Sequence, residues 1–456
     1  MKIHKQLMQA SGALALSLLA TSVMAAVSAD EAAKLGTTLT PIGAEKAGNA
    51  DGSIPEWTGG LPTNAGAVDA KGFLADPFAS EQPKFTITAQ NVAQYKDKLT
   101  PGQQAMFQRY PDTFKMPVYP THRTATVPAS VLEATKKNAT NTKLVEGGNG
   151  LENFEVANPF PIPQNGLEAI WNHITRYRGG SVQRLVTQAT PQQNGSYSLV
   201  YFQDEFTFRT NLTDYNPAQA SNVLFYFKQQ VTAPSRLAGN VLLVHETLNQ
   251  VKEPRLAWLY NAGQRRVRRA PQVSYDGPGT ASDGLRTSDN FDMYNGAPDR
   301  YEWKLNGKKE IYIPYNSYKL DSPSLKYDDI IKAGHINQDL TRYELHRVWH
   351  VTATLKAGER HIYAKRDFYL DEDTWQAAAI DHYDGRGTLW RVAEAHSQYY
   401  YNKQVPWYTL ESLNDLLSGR YLALGMKNEE KQSYNFDYKA ASSDFTPAAL
   451  RQAGVR

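Results

Sequence analysis

The chain has 456 residues, with 49 lysines and arginines set against 46 aspartates and glutamates and a formal charge of +3. That near balance excludes a general nucleic-acid binder, which is usually far more basic. The absence of cysteine excludes a disulfide framework, a thiolate site and a lipid carried on a cysteine.

The first element is a targeting segment. Lys2 and Lys5 precede an apolar run, Gly12 to Ala25, that is too short to span a bilayer as a mature helix. Val23 and Ala25 put small residues at the −3 and −1 positions of a cleavage site. Residues 1–25 are therefore read as a secretory signal peptide, cut near Ala25/Ala26. Loss of its two lysines leaves a charge of +1. With no lipid attachment point, the expected location is the periplasm, where nucleic acid is not an expected partner. About 430 residues remain, enough for one large domain or two ordinary ones.

Residues 26–165 are punctuated by glycine and proline and read as an irregular N-terminal arm packed on a body. Two short helices interrupt it. "TAQNVAQYKDKL", Thr88 to Leu99, places Val92, Tyr95 and Leu99 on one side after a candidate cap at Thr88. "PGQQAMFQRYP" starts with a proline suited to a first turn. "NADGSIPEWTGG", Asn49 to Gly60, reads as a self-capped turn, because a calcium loop with Gly52 at its sixth position would need acids where Ala47 and Thr58 stand.

Residues 166–456 form the body. Its first element is a helix in "NGLEAIWNHITRYRGG", Asn165 to Gly180, with Leu167, Ile170, Trp171 and Ile174 on one stripe. The period then falls to two. At least nine strands with turn-length connections, among them "SYSLVYFQDEFTFRTN", "NVLFYFKQQVTAP", "GNVLLVHETLN" and "YELHRVWHVTATL", describe an antiparallel meander. "TLESLNDLLSG" reads as a second helical patch, with a stripe of Leu410, Leu413, Leu416 and Leu417. So many strands leave exposed edges unless the sheet curls. The expected fold is mainly β with a few helices: a strongly curved antiparallel half-barrel closed by helices over an apolar cavity.

Motifs for chemistry fail one by one. His346 and His350 in "HRVWH" have the spacing of two metal ligands on a helix. The stretch alternates as a strand, which puts them about 13 Å apart at a rise of about 3.3 Å per residue; no metal is expected, and Glu344, His346, His350 and Thr352 read as a solvated face. "GPGTAS", Gly277 to Ser282, lacks the third glycine and the strand–helix setting of a dinucleotide loop. Asp381, His382 and Asp384 in "DHYDGRG" read as part of a hairpin. No cofactor or catalytic residue is assigned.

"LAWLYNAGQRRVRRAP", Leu256 to Pro271, holds four arginines in five residues. As a hairpin closed by Asn261–Gln264, it separates Arg266 and Arg268 from Arg265, Val267 and Arg269. It also sets Trp258 and Tyr260 on one face, as candidate cavity lining. The arginines either form a plain solvated hairpin or offer guanidinium groups to carboxylates or phosphates at a cavity mouth.

"LTPIGAEKAGNADGSIPEWTGG", "DPFASEQPKFTITAQNVAQY", "LTPGQQAMFQRYPDTFKMPVYPTHRTA", "WLYNAGQRRVRRAP" and "GKKEIYIPYN" together resemble a bacterial periplasmic family, domain of unknown function 1329, across nearly the whole mature chain. That family is similar to outer-membrane lipoprotein carrier and receptor proteins, which implies an incomplete barrel closed by helices over an apolar cavity. The resemblance also implies work beside a resistance-nodulation-division transporter and an outer-membrane partner. On this basis Phe206, Phe208, Phe225, Phe227, Trp258, Tyr260 and Trp349 are the expected lining for a lipid or other hydrophobic molecule. Arg266 and Arg268 are placed at the rim, to hold an acidic head group or dock an acidic partner. A periplasmic adaptor without a ligand, which needs a filled interior, and a lipid or ester hydrolase, which needs a serine or aspartate beside a histidine in the pocket, are the alternatives.

Overall fold

The computed structural model describes residues 26–270, 273 and 275–454; the expected signal peptide lies outside them. No helix among these residues is long and apolar enough to cross a membrane. The N-terminal segment contributes α1 (Ala29–Ala32), β1 (Phe85–Ile87), α2 (Pro101–Arg109), β2 (Met116–Val118), α3 (Ala129–Asn141), β3 (Lys143–Leu144) and β4 (Leu151–Glu152). After α4 (Gly166–Thr175) comes a meander of β5 (Ser181–Ala189), β6 (Leu199–Phe208), β7 (Val223–Ala233), β8 (Val241–Thr247), β9 (Leu256–Asn261) and β10 (Arg266–Arg269). A second meander runs through β11 (Tyr301–Pro314), β12 (Tyr343–Leu355), β13 (Lys365–Asp371), β14 (Ala377–Tyr383), β15 (Leu389–Tyr400), β16 (Val405–Asp415) and β17 (Tyr421–Met426). The short α5 (Tyr327–Ile330) lies between β11 and β12, and α6 (Pro447–Gly454) ends the fold.

β17 pairs with β5, and this contact fuses the meanders into one 15-stranded sheet running from β1 and β2 at one end to β9 and β10 at the other. Pairing is antiparallel except where Tyr343 of β12 meets Val118 of β2. The sheet stays open and curves round α4, whose residues share one core with Val182 of β5, Phe227 of β7, Val351 of β12 and Phe368 of β13. The expected curved half-barrel is what forms.

α4 begins where the Asn165 side chain accepts the Glu168 N–H at 3.0 Å, an ordinary N-cap. Every residue of the helix except Leu167 is buried, so it is enclosed on nearly all sides. Gly166 permits this depth: a Cβ there would lie 2.7 Å from the Trp303 backbone carbonyl carbon.

The outer face of the sheet is covered as well. Phe445 stacks on Tyr226 at 5.1 Å and joins Leu243, Tyr260 and Leu450 of α6 over β8 and β9. Tyr327 and Ile330 of α5 pack with Leu410 and Tyr421, and Met106 and Phe107 of α2 with Tyr343 and Val392. The N-terminal segment is pinned by Arg123, which ion-pairs Asp373 at 2.8 Å and donates to the carbonyls of Glu45, Lys46 and Pro55.

This covering explains two corrections. "TLESLNDLLSG" is mostly strand, in β16, not helix: all of β16 is buried, with Leu410 and Leu413 in different cores on either side. A strand buried on both faces loses the alternation that marks strands. Nor do His346 and Glu344 lie on a solvated face. Both are buried, joined at 2.8 Å, with the imidazole stacked on Tyr315 at 3.8 Å; His350, half-buried, meets Asp367 instead. His346 does approach Asp371 and Asp373, but Asp373 is bound to Arg123. A third difference is smaller: the helix expected from Thr88 is a 3₁₀ turn over Val92–Lys98, held by Tyr95 stacking on Phe85. The turn at Asn49 is self-capped as read, with Asn49 Oδ1 accepting the Ile54 N–H and Asp51 Oδ1 that of Ser53.

Asp381 of β14 has a role that the hairpin reading missed. Its carboxylate accepts the Gly102 N–H at 3.0 Å, capping α2 from the sheet, and burial pushes its pKa up to about 7. The folded protein therefore keeps a proton that the unfolded chain releases near pH 4, and this stabilisation is lost as pH rises toward 7. Asp381→Asn is expected to flatten the pH dependence of unfolding between about pH 4 and 7 and to raise the urea midpoint at pH 8, measured by circular dichroism. Gly166→Ala is expected to cost about 1–3 kcal/mol, because either α4 or the backbone of β11 must shift; calorimetric unfolding checks it.

Candidate functional site

A cavity of about 290 Å³ lies on the concave face of β7, β8 and β9. Strand alternation builds its apolar wall. Phe225 and Phe227 of β7, Leu242 and Val244 of β8 and Leu259 of β9 point inward, while Tyr226, Leu243, Trp258 and Tyr260 face the C-terminal cover. The opposite wall is Val273 and a loop over residues 275–295, which supplies Pro278, Gly279, Thr280, Arg286, Ser288, Phe291 and Asn295. The expected helical closure does not line this cavity, because α4 occupies the remainder of the concavity.

The loop is an irregular hairpin. Asp289 N–H donates to Tyr275 O at 3.0 Å, Ser288 N–H to Gly277 O at 2.6 Å and Gly279 N–H to Arg286 O at 3.0 Å. Its base is fixed by Asp289, bound to Arg366 at 3.0 Å and His361 at 2.9 Å. Its far end is fixed by Asp292, which accepts from Arg176 at 2.7 Å and the Trp407 indole at 2.9 Å and ion-pairs with Arg178 at 3.0 Å. Burial alone would raise the Asp292 pKa, but Arg176 and Arg178 outweigh it and hold the carboxyl down to about 2. His173 of α4 also reaches the Asp292 carbonyl, at 3.1 Å. Burial drives this imidazole down to about 3, so it is neutral, and its Nδ1 accepts the Ala377 N–H at 3.0 Å.

Most polar lining is already engaged. Gln229 donates to Asp204 at 3.0 Å. Arg255 pairs with Glu246 at 2.5 Å and donates to the carbonyls of Val273 and Asn295. Arg286 differs. It is 5 % exposed, and its Nε and Nη1 are buried without a hydrogen-bond partner.

The residues singled out from sequence separate into three groups. Phe225 and Phe227 line the cavity, and Phe206 and Phe208 sit beside them in the same core, with Phe206 4.7 Å from Phe225 and under Arg178. Trp258 and Tyr260 are on the other face of the sheet, packed with His245 and α6; alternation keeps them together but could not say which face was concave. Trp349 lies on β12, stacked on Trp375 and under the Lys308 ammonium, away from the cavity lining. Arg266 and Arg268 are exposed on the expected β9–β10 hairpin. Arg268 registers against Leu259, which lines the cavity while 45 % exposed, so these arginines flank its mouth.

Sequence reasoning missed Arg286, Phe291 and Asn295, and set aside "GPGTAS", which forms part of the wall. That stretch has no periodicity to read. Leu242 and Val244 were not singled out either, because they stand in an unbroken apolar run, Val241 to Val244, where alternation marks no face.

The family model described as a protein of unknown function, DUF1329, matches residues 86–451. An uncharacterized protein of Pseudomonas aeruginosa is 84% identical over 456 residues, covering 100% of both chains. Among solved structures, a DUF1329 family protein from Desulfovibrio piger is 12% identical with a TM-score of 0.41, covering 59% of this chain and 91% of that one. A LolA superfamily protein from Nitrosomonas europaea is 14% identical with a TM-score of 0.37, covering 62% and 98%.

The Asp292 anchor is testable without a ligand. Asp292→Asn leaves two buried guanidinium groups short of a counter-charge, so a loss of about 3–5 kcal/mol in urea unfolding at pH 7 is expected. The difference should narrow as pH falls below about 4, where the wild-type carboxylate begins to lose its advantage over the unfolded chain.

Proposed function

The chain belongs to the DUF1329 family, and from that premise we propose that it is a periplasmic binding and carrier protein for a hydrophobic molecule. The observation that carries this reading is the apolar cavity between β7–β9 and the loop 275–295. Its volume of about 290 Å³ is at the lower end of the ~300–1,000 Å³ usual for small-molecule pockets. That size suits one medium alkyl chain or a compact cyclic hydrocarbon.

Burial of a chain there needs no chemical step. At ~0.8 kcal/mol per methylene, ten methylenes contribute roughly 8 kcal/mol before ordering costs. An adaptor without a ligand predicts a filled interior, which the cavity does not favour. A hydrolase needs a nucleophile beside a histidine; Ser288 lines the cavity, and none of the described lining residues is a histidine. In the carrier role the protein would exchange its cargo with an envelope transporter. A resistance-nodulation-division transporter and an outer-membrane protein are the partners implied by the family resemblance.

The test is displacement of a fluorescent apolar probe, 1-aminoanthracene, from protein stripped of lipid. Leu242→Trp, which fills the cavity, is expected to weaken binding at least about tenfold. Trp258→Phe, on the opposite face, should leave it within about twofold. Equal binding by wild type and Leu242→Trp would place the ligand elsewhere and remove this cavity from the function.

A further inference from the structure

Arg286 breaks a rule that the rest of the molecule keeps. Every other buried arginine among the described residues has a carboxylate oxygen between 2.5 and 3.2 Å away. Arg286 is buried to the same degree, makes no ion pair among the described residues, and leaves Nε and Nη1 without an acceptor. Glu411 is the carboxylate whose charge acts most on it; its Oε1 accepts the Met293 N–H at 2.5 Å, and its Oε2, buried and itself without a partner, stays beyond ion-pair distance of the guanidinium. A buried charge without a partner is costly, and fixed backbone holds this one in place. Gly279 makes room for it, since a Cβ there would lie 2.7 Å from both Cγ and Nε of Arg286. The side chain faces a cavity whose other wall is phenylalanine, leucine and valine.

We infer that the cavity takes an amphiphile with a single anionic head, a carboxylate or a phosphate, and that Arg286 holds this head while Phe225, Phe227, Leu242 and Val244 hold the chain. The inference rests on the carrier reading and deepens it. A planar guanidinium can present adjacent N–H donors, Nη2 with either neighbour, to two oxygens of either head. The exposed Arg266 and Arg268 beside the mouth then serve to attract the anion from solution, where charge is screened, and not to grip it.

Isothermal titration of the stripped protein with decanoate, decyl phosphate, 1-decanol and decyltrimethylammonium tests this. Wild type is expected to bind decanoate or decyl phosphate at least about tenfold more tightly than 1-decanol, and the cation more weakly than either. Arg286→Met should bring the anions down to the affinity of 1-decanol, with 1-decanol itself unchanged within about twofold. Arg286→Lys, which keeps the charge without the fork, should retain part of the preference. The double charge reversal Arg266→Glu/Arg268→Glu should slow association and leave the preference in place. The stronger of the two anions identifies the head. Equal binding of decanoate and 1-decanol by wild type, or a preference that follows Arg266 and Arg268 instead of Arg286, overturns the inference and leaves the carrier standing. Failure of all four probes to bind removes the carrier reading itself.

Discussion

The buried contact of Asp292 with Arg176 and Arg178 is the interaction on which the site depends. It joins the chain just past α4 to a loop more than a hundred residues later, inside the curved sheet. Asp292 and Met293 both have positive φ, 52° and 65°, an uncommon conformation for side chains other than glycine. The turn survives because it is over-determined: two guanidinium groups, the Trp407 indole and His173 hold Asp292, and Glu411 holds the next N–H. From that anchor Phe291 is set 4.5 Å from Phe227 and Asn295 is brought to Arg255 and Glu246. Without the anchor, the cavity would have one wall.

Burial of charge is therefore systematic in this fold. Arg123, Arg176, Arg178, Arg184, Arg366 and Arg391 are all interior and paired, several of them also over aromatic rings, as Arg184 is over Trp407 and Arg366 over Tyr301. A sheet this long brings segments of distant sequence together, and single ion pairs staple them. Pairs of this kind contribute less to net stability than to the choice of one arrangement, since their desolvation offsets much of their attraction. Against that background a buried arginine without a partner, beside an apolar cavity, has the character of a binding group.

The β-rich composition, the helix at α4, the hairpin of β9 and β10 and most of the meander were legible in the chain, because each rests on local periodicity or on turn residues. β16 was not, because a strand covered on both faces has the uniform apolar character of a buried helix. The covering segments, α2, α5 and α6, come from far away in sequence. Phe225 and Phe227 were among the aromatic residues expected at a cavity from the family resemblance together with the alternation of their strand. Trp258 and Tyr260 were equally well patterned, yet they face α6, since a period of two divides residues between faces without saying which face is concave.

By itself the sequence determined the class of fold, the alternation along each strand and the exposed arginine hairpin, all properties set within a few residues of chain. Only the tertiary structure decided which face of the sheet encloses space, that a loop forms the second wall of the cavity, and that Arg286 is, among the described residues, the buried arginine left without a carboxylate. Those outcomes depend on the curvature of fifteen strands and on which distant carboxylates reach which arginines. Pairing across such separations leaves no local pattern, because it is chosen by geometry after the chain has folded back on itself.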